Sequence, residues 1–117
     1  MTFLKPARAE GDRKYFRPRE HLERLLAFRV NSVQENVRTN FGEANVVYAD
    51  VTVIDGPDAG SVYPNAEIEA EVLYRSLAPN VGEVVLGRLI QPNKAFLLED
   101  ATAEDEALAE TVLAKAA

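Results

Sequence analysis

Residues 46–63 read VVYADVTVIDGPDAGSVY: a strand, a Gly/Pro turn and the start of a second strand. The first nine residues are mostly apolar and β-branched, with one aromatic, which suits a pleated strand. Val47, Ala49, Val51 and Val53 fall on one face and Tyr48, Asp50 and Thr52 on the other. The first set suits a core, the second water or a ligand. Asp55-Gly56-Pro57 ends the run, because glycine tolerates positive φ and proline lacks the N–H a ladder needs. Ala59-Gly60 closes the loop, and Ser61-Val62-Tyr63 resumes extended structure.

Upstream, residues 21–37 read as a first strand in which Leu26, Phe28 and Val30 alternate with Ala27 and Arg29. Val33 and Val37 fall out of that phase, which predicts a bulge near Asn31-Ser32. A short helix over 20–28 is the competing reading. Residues 38–45 are polar with a central glycine and read as a hairpin loop carrying Phe41 at its tip. Residues 1–20 mix Lys, Arg, Pro and Gly with scattered aromatics. They are expected to form a basic, flexible arm, ordered only where Tyr15 and Phe16 find a surface.

Downstream, Val62, Ala66 and Ile68 are expected to point one way and Tyr63, Asn65, Glu67 and Glu69 the other. Pro64 marks an edge or a bulge. This phase puts Tyr48 and Tyr63 on one outward surface. Residues 70–78 read as a short helix stopped by Pro79-Asn80. Residues 83–91 and 95–99 read as the last two strands, joined by the turn Pro92-Asn93-Lys94. From Thr102 to the end the chain reads as an acidic helix. Thr102 and Asp105 resemble a capping box, and Leu108, Val112 and Leu113 form a stripe that either docks on the body or recruits a partner.

Three strands, a helix, two strands and a C-terminal helix match a mainly β, five-stranded OB-fold, a Greek-key barrel, over residues 21–101. An α+β sandwich with the same elements paired differently is the alternative.

The 117 residues suit one small domain. No apolar run approaches the ~20 residues of a membrane span, and no apolar stretch follows the basic N-terminus as a secretory signal would. The chain has no cysteine, which excludes disulfides, thiolate catalysis and cysteine metal sites. The expected compartment is cytoplasmic. Net charge is −6, but residues 1–30 carry 8 basic and 4 acidic side chains, whereas residues 99–117 carry 1 and 6. Only the N-terminal part would attract phosphate. The single histidine, His21, sits in a charged stretch and is expected at the surface. No spacing points to a catalytic triad, a phosphate-cradling loop or a metal centre, so neither an enzyme nor a cofactor is expected. The acidic C-terminal carboxylates lack the order of a calcium loop.

Asp55-Gly56-Pro57-Asp58-Ala59-Gly60 with Val62-Tyr63, and Val85-Leu86-Gly87-Arg88-Leu89, resemble the pattern of a family of small proteins encoded by actinobacterial phages. The resemblance covers roughly residues 22–113. It implies an OB-fold and nonspecific single-stranded DNA binding in the host cytoplasm, in replication or recombination. The chain departs from that family between the last two strands. There the family carries a longer Gly-, Lys- and Pro-containing loop with a Trp, and this chain has Gln91-Pro92-Asn93-Lys94-Ala95-Phe96 and no Trp.

Single strands are held by stacking bases on aromatic rings and threading phosphates past cations. The candidate rings are Phe41, Tyr48, Tyr63 and Phe96, with packing as the competing role for each. The candidate cations are Arg29, Arg38, Arg88 and Lys94, joined by Arg13, Lys14, Arg17 and Arg19 of the arm. Surface pairing competes for each, and Arg29, Arg88 and Glu83 are placed to pair across strands. Asp50, Glu67 and Glu69 would repel phosphate. The alternative function is a protein-interaction module that engages a host or replication protein through the C-terminal helix or the arm. A homo-oligomer through exposed strand edges suits either function.

Overall fold

The computed structural model describes the backbone of residues 16–39 and 42–116 and the side chains of 16–36 and 42–115. After a 3-10 turn at Pro18–His21, the strands are β1 (Leu25–Thr39), β2 (Gly42–Val53), β3 (Val62–Ile68), β4 (Val84–Ile90) and β5 (Leu97–Asp100). Helix α1 (Glu71–Leu77) lies between β3 and β4, and helix α2 (Ala103–Ala116) closes the chain. The five strands form one antiparallel sheet in the order β3-β2-β1-β4-β5.

The alternation read in β2 determines what the sheet buries. Its inner face carries Leu26, Phe28 and Val30 of β1, Val47, Ala49, Val51 and Val53 of β2, and Leu89 of β4, all buried. The short α1 inserts Leu73 and Leu77 into the same core. The outer face is covered at one end only. There Leu25, Ala27 and Ile54 meet Ala109, with Val112 and Leu113 packed alongside. Val112 and Leu113 of the α2 stripe are therefore spent on docking, while Leu108 stays exposed. The α2 N-terminus closes as the sequence predicts: the Thr102 amide donates to Asp105 Oδ2 at 3.0 Å, and the Asp105 amide to Thr102 Oγ1 at 3.1 Å.

The bulge in β1 falls at Asn31, where the register slips between Val30 and Ser32. Four expectations are corrected. No α-helix occupies 20–28; the 3-10 turn is followed directly by strand. The polar stretch 38–45 is mostly ladder, with Val37 paired to Ala44, Arg38 to Glu43 and Thr39 to Gly42. Backbone pairing needs no hydrophobic alternation, so a ribbon that is polar on both faces is invisible to a periodicity argument. Tyr63 does not share an outward surface with Tyr48. Ala49 pairs with Ala66 and Val51 with Tyr63, so β3 carries one extra residue opposite Asp50, and Asn65 takes φ +48°. That bulge reverses the phase of β3: Tyr63 packs on the inner core while Val62 turns to the outer side. His21 is not at the surface; it is buried, with 4% of its area exposed.

Gly87 has a specific reason to be glycine. A Cβ there would stand 3.1 Å from Leu98 Cβ and 3.2 Å from the Glu99 carbonyl oxygen, so its absence lets β5 lie close on β4.

Candidate nucleic-acid interface

The structure separates the predicted site residues into three groups. Tyr48 and Arg29 lie on the outer face. Tyr48 is half-buried, faces Glu67 across the ladder, and donates its hydroxyl to Glu67 Oε1 at 3.1 Å. Arg29 is exposed and stands opposite Asp50. Asp50 itself holds the bulges, its Oδ1 accepting from the Asn65 amide at 2.7 Å and from Asn31 Nδ2 at 3.1 Å. Arg29 and Asp50 share a groove of about 310 Å³ with Val62, Val84 and Leu113. Val84 is 53% exposed.

Tyr63 and Phe96 belong to the second group, packed against the inner core. Tyr63 meets Phe16 and His21, with ring centroids 5.8 and 5.2 Å away. Phe96 lines two cavities of about 420 and 410 Å³ that share Ala70. Lys94 is exposed in the β4–β5 connection, near Glu71 and Phe96. Its carbonyl accepts from Gln91 Nε2 at 3.1 Å. Arg38 lies on the projecting β1–β2 ribbon, with its side chain outside the described residues, as is all of Phe41 and of the arm before Phe16. Arg17 and Arg19 are exposed.

Arg88 forms the third group. It is committed to a chain of charges at the α2 end of the sheet. Its Nη1 meets Asp55 Oδ2 at 3.0 Å and its Nη2 meets Asp105 Oδ1 at 3.0 Å, and it also donates to the Glu23 carbonyl at 2.9 Å. Glu83 takes no part in these contacts. On the other side of Asp55, Arg24 Nε approaches Oδ1 at 3.2 Å, and Arg24 Nη2 bonds Asp58 and the Asp55 carbonyl. The Leu25 amide donates to Asp55 Oδ1 at 3.0 Å. Burial alone would raise the Asp55 carboxyl. The hydrogen bonds from Leu25, Arg88 and Arg24 outweigh it and hold the group below the usual carboxylate range. Asp105 is also held low, first by the Thr102 amide and then by Arg88. The Asp55 bonds push the Arg88 guanidinium higher still.

The motif DGPDAG is thus a clamp on Arg24. Gly56 has φ +83°, and a Cβ there would collide with the Arg24 guanidinium. The sequence showed the turn but not its counter-ions, because Arg24 and Arg88 are 31 and 33 residues from Asp55. His21 was likewise missed, since its neighbours along the chain are charged.

Among the described residues no helix is long and apolar enough to cross a membrane, and no group of acidic or histidine side chains is placed to hold a metal ion. Comparison with protein-family models, with curated proteins and with solved structures finds no match.

Proposed function

We infer that this chain is an OB-fold, nonspecific single-stranded DNA-binding protein that serves phage DNA replication or recombination in the host cytoplasm. The observation that supports this reading best is the strand order β3-β2-β1-β4-β5 with a helix between β3 and β4. It is the order of a five-stranded Greek-key barrel cut between β3 and β5. Phe96, just before β5, and the segment from Glu67 to Ala70, at the end of β3, line one cavity. β3 and β5 are the two edge strands of the open sheet, and the barrel reading brings these edges together.

On this reading a base stacks on Tyr48, and phosphates run past Arg29 toward Arg38 on the ribbon and past Lys94 beside the start of α1, with Phe41 a further stacking candidate from the sequence. Labelled oligo-dT in fluorescence anisotropy tests it. Tyr48→Ala weakens binding about tenfold, near the low end of the ~1–3 kcal/mol per stacked base because the ring is half-buried. If Arg29, Arg38 and Lys94 alone meet phosphate, log K against log salt falls with a slope of about −2. If the four arm cations join, the slope is about −5. No binding at micromolar protein, or equal binding to duplex, rejects the reading.

A second reading, a protein-interaction module, is favoured by one specific observation. Tyr48 and Arg29 are flanked by Glu67 and Asp50, and Arg88 is already answered by Asp55 and Asp105. A partner on α2 would meet its acidic solvent side and Leu108, which is 42% exposed. Capture from host lysate that survives nuclease and is lost with Leu108→Glu supports this second reading.

A further inference from the structure

His21 is the one described side chain whose polar atoms are sealed from water with no hydrogen-bond partner, and both ring nitrogens are affected. Its ring lies flat on Phe16, with centroids 5.2 Å apart and planes within 9°, and meets the Tyr63 ring edge-on at 5.2 Å. Phe16 in turn packs edge-on against Phe28 at 6.0 Å. Aromatic packing therefore fastens residues 16–22 over the inner core. The backbone bonds of this segment are local, Glu20 to Arg17 and Arg24 to His21, and the first described tie to the sheet is Glu23 to the Leu89 carbonyl.

We propose that residues 16–22 form a proton-released strap, docked while the His21 imidazole is neutral and freed when it takes up a proton. A neutral imidazole already costs free energy when buried without partners, and an imidazolium at the same place costs far more. Burial is the largest influence and lowers the His21 value below the ordinary 6.5. Asp58 on the turn after β2 and Glu20 on the strap itself favour the proton, and Arg24 opposes it. Tyr63 meets the imidazole ring edge-on from the β3 side. Glu67 and Glu69 border the cavity at the Phe16 end.

The sign follows. The docked form binds the proton more weakly than the released form. Docking is therefore fully favoured above about pH 6.5 and is lost as pH falls below it, through the lower docked value. Release uncovers Tyr63, Phe28 and the cavity of about 420 Å³ that Phe16 and Pro18 wall with Ile68 and Phe96. A sealed sheet edge becomes an exposed aromatic surface on acidification, whether or not the protein binds DNA.

Because the chain has a single histidine, its Cε1 proton resonance reports the titration without ambiguity. The expected midpoint lies below 6.5. Amide exchange, corrected for its intrinsic pH dependence, is expected to speed up about tenfold at Glu20 and Arg24, whose bonds end on strap carbonyls, between pH 7 and pH 5, with Ala49 and Val51 unchanged. In His21→Phe the same amides are expected to stay protected across that range. A midpoint at or above 6.5, pH-independent protection of Glu20 and Arg24 in the wild type, or equal loss in the variant overturns the proposal. If the variant does not fold, the wild-type titration and exchange decide alone.

Discussion

The C-terminal helix and the segment 16–22 both pack apolar side chains on the sheet, but the polar groups beside them are treated in opposite ways. Beside the helix both guanidiniums are answered: Asp58 and Asp55 on Arg24, Asp55 and Asp105 on Arg88. At the other corner a polar ring is wedged between Phe16 and Tyr63 with both nitrogens unanswered. The first arrangement is specific and tolerant of acid down to the carboxylate range. The second is held by dispersion and water exclusion, and it carries a built-in proton acceptor. A buried ionisable group stabilises or threatens a contact according to its partners, more than according to its depth.

Removing the shared acceptor of the charged corner is the harshest way to break this contrast. Asp55→Ala strands two guanidinium groups and the Leu25 amide at once. The expected loss is about 2–3 kcal/mol by urea denaturation, below the ~3–5 kcal/mol of a fully buried pair because these side chains keep 22–30% of their surface. The Asp55 carboxyl is held below its ordinary 3.8, so its contribution is complete above that pH and is lost as pH falls further. The wild-type and Asp55→Ala curves should therefore converge in strong acid. A constant gap from neutral pH to about pH 2 would show that packing, and not charge, holds the corner.

The two corners also mark how far the sequence could be read. Strand β2, its turn, the bulge at Asn31 and the Thr102–Asp105 cap are all local patterns, carried by neighbours within a few residues, and each is present. The mainly β class and the helix between β3 and β4 follow from them. Tyr63 went astray although Pro64 flagged a bulge, because one inserted residue inverts every side chain before it. Arg88 reads as a phosphate contact or a cross-strand partner of Glu83 until the fold brings Asp55 and Asp105 beside it. His21 reads as solvated until Phe16 and Tyr63 close over it. What escaped was long-range pairing, which no window of sequence contains.

A gentler perturbation sharpens the charged corner. Gly56→Ala should cost about 1–2 kcal/mol, from positive φ and from displacing the Arg24 guanidinium off its aspartates. In Arg24→Ala the same substitution should cost only the backbone part, about 1 kcal/mol, so the double mutant would be less destabilised than the sum. Strict additivity would mean that the guanidinium moves aside freely and the clamp is loose.

The smallest effect is expected at the aromatic corner, and it has the opposite sign. His21→Phe keeps a planar ring between Phe16 and Tyr63 and removes two buried nitrogens that no donor or acceptor meets. An unmet buried polar group costs about 1–3 kcal/mol, and part of that is offset by the larger volume of phenylalanine, so a gain of about 1 kcal/mol is expected at pH 7.5. At pH 5.5 the gain should widen, because the wild type must hold its imidazole neutral below the ordinary 6.5 whereas the variant has nothing to titrate. The measurement is the urea midpoint at both pH values. A loss at neutral pH would mean that the ring is held by polar contacts after all, and a gain that does not grow on acidification would mean that His21 is no more sensitive to protons than the charged corner it was set against.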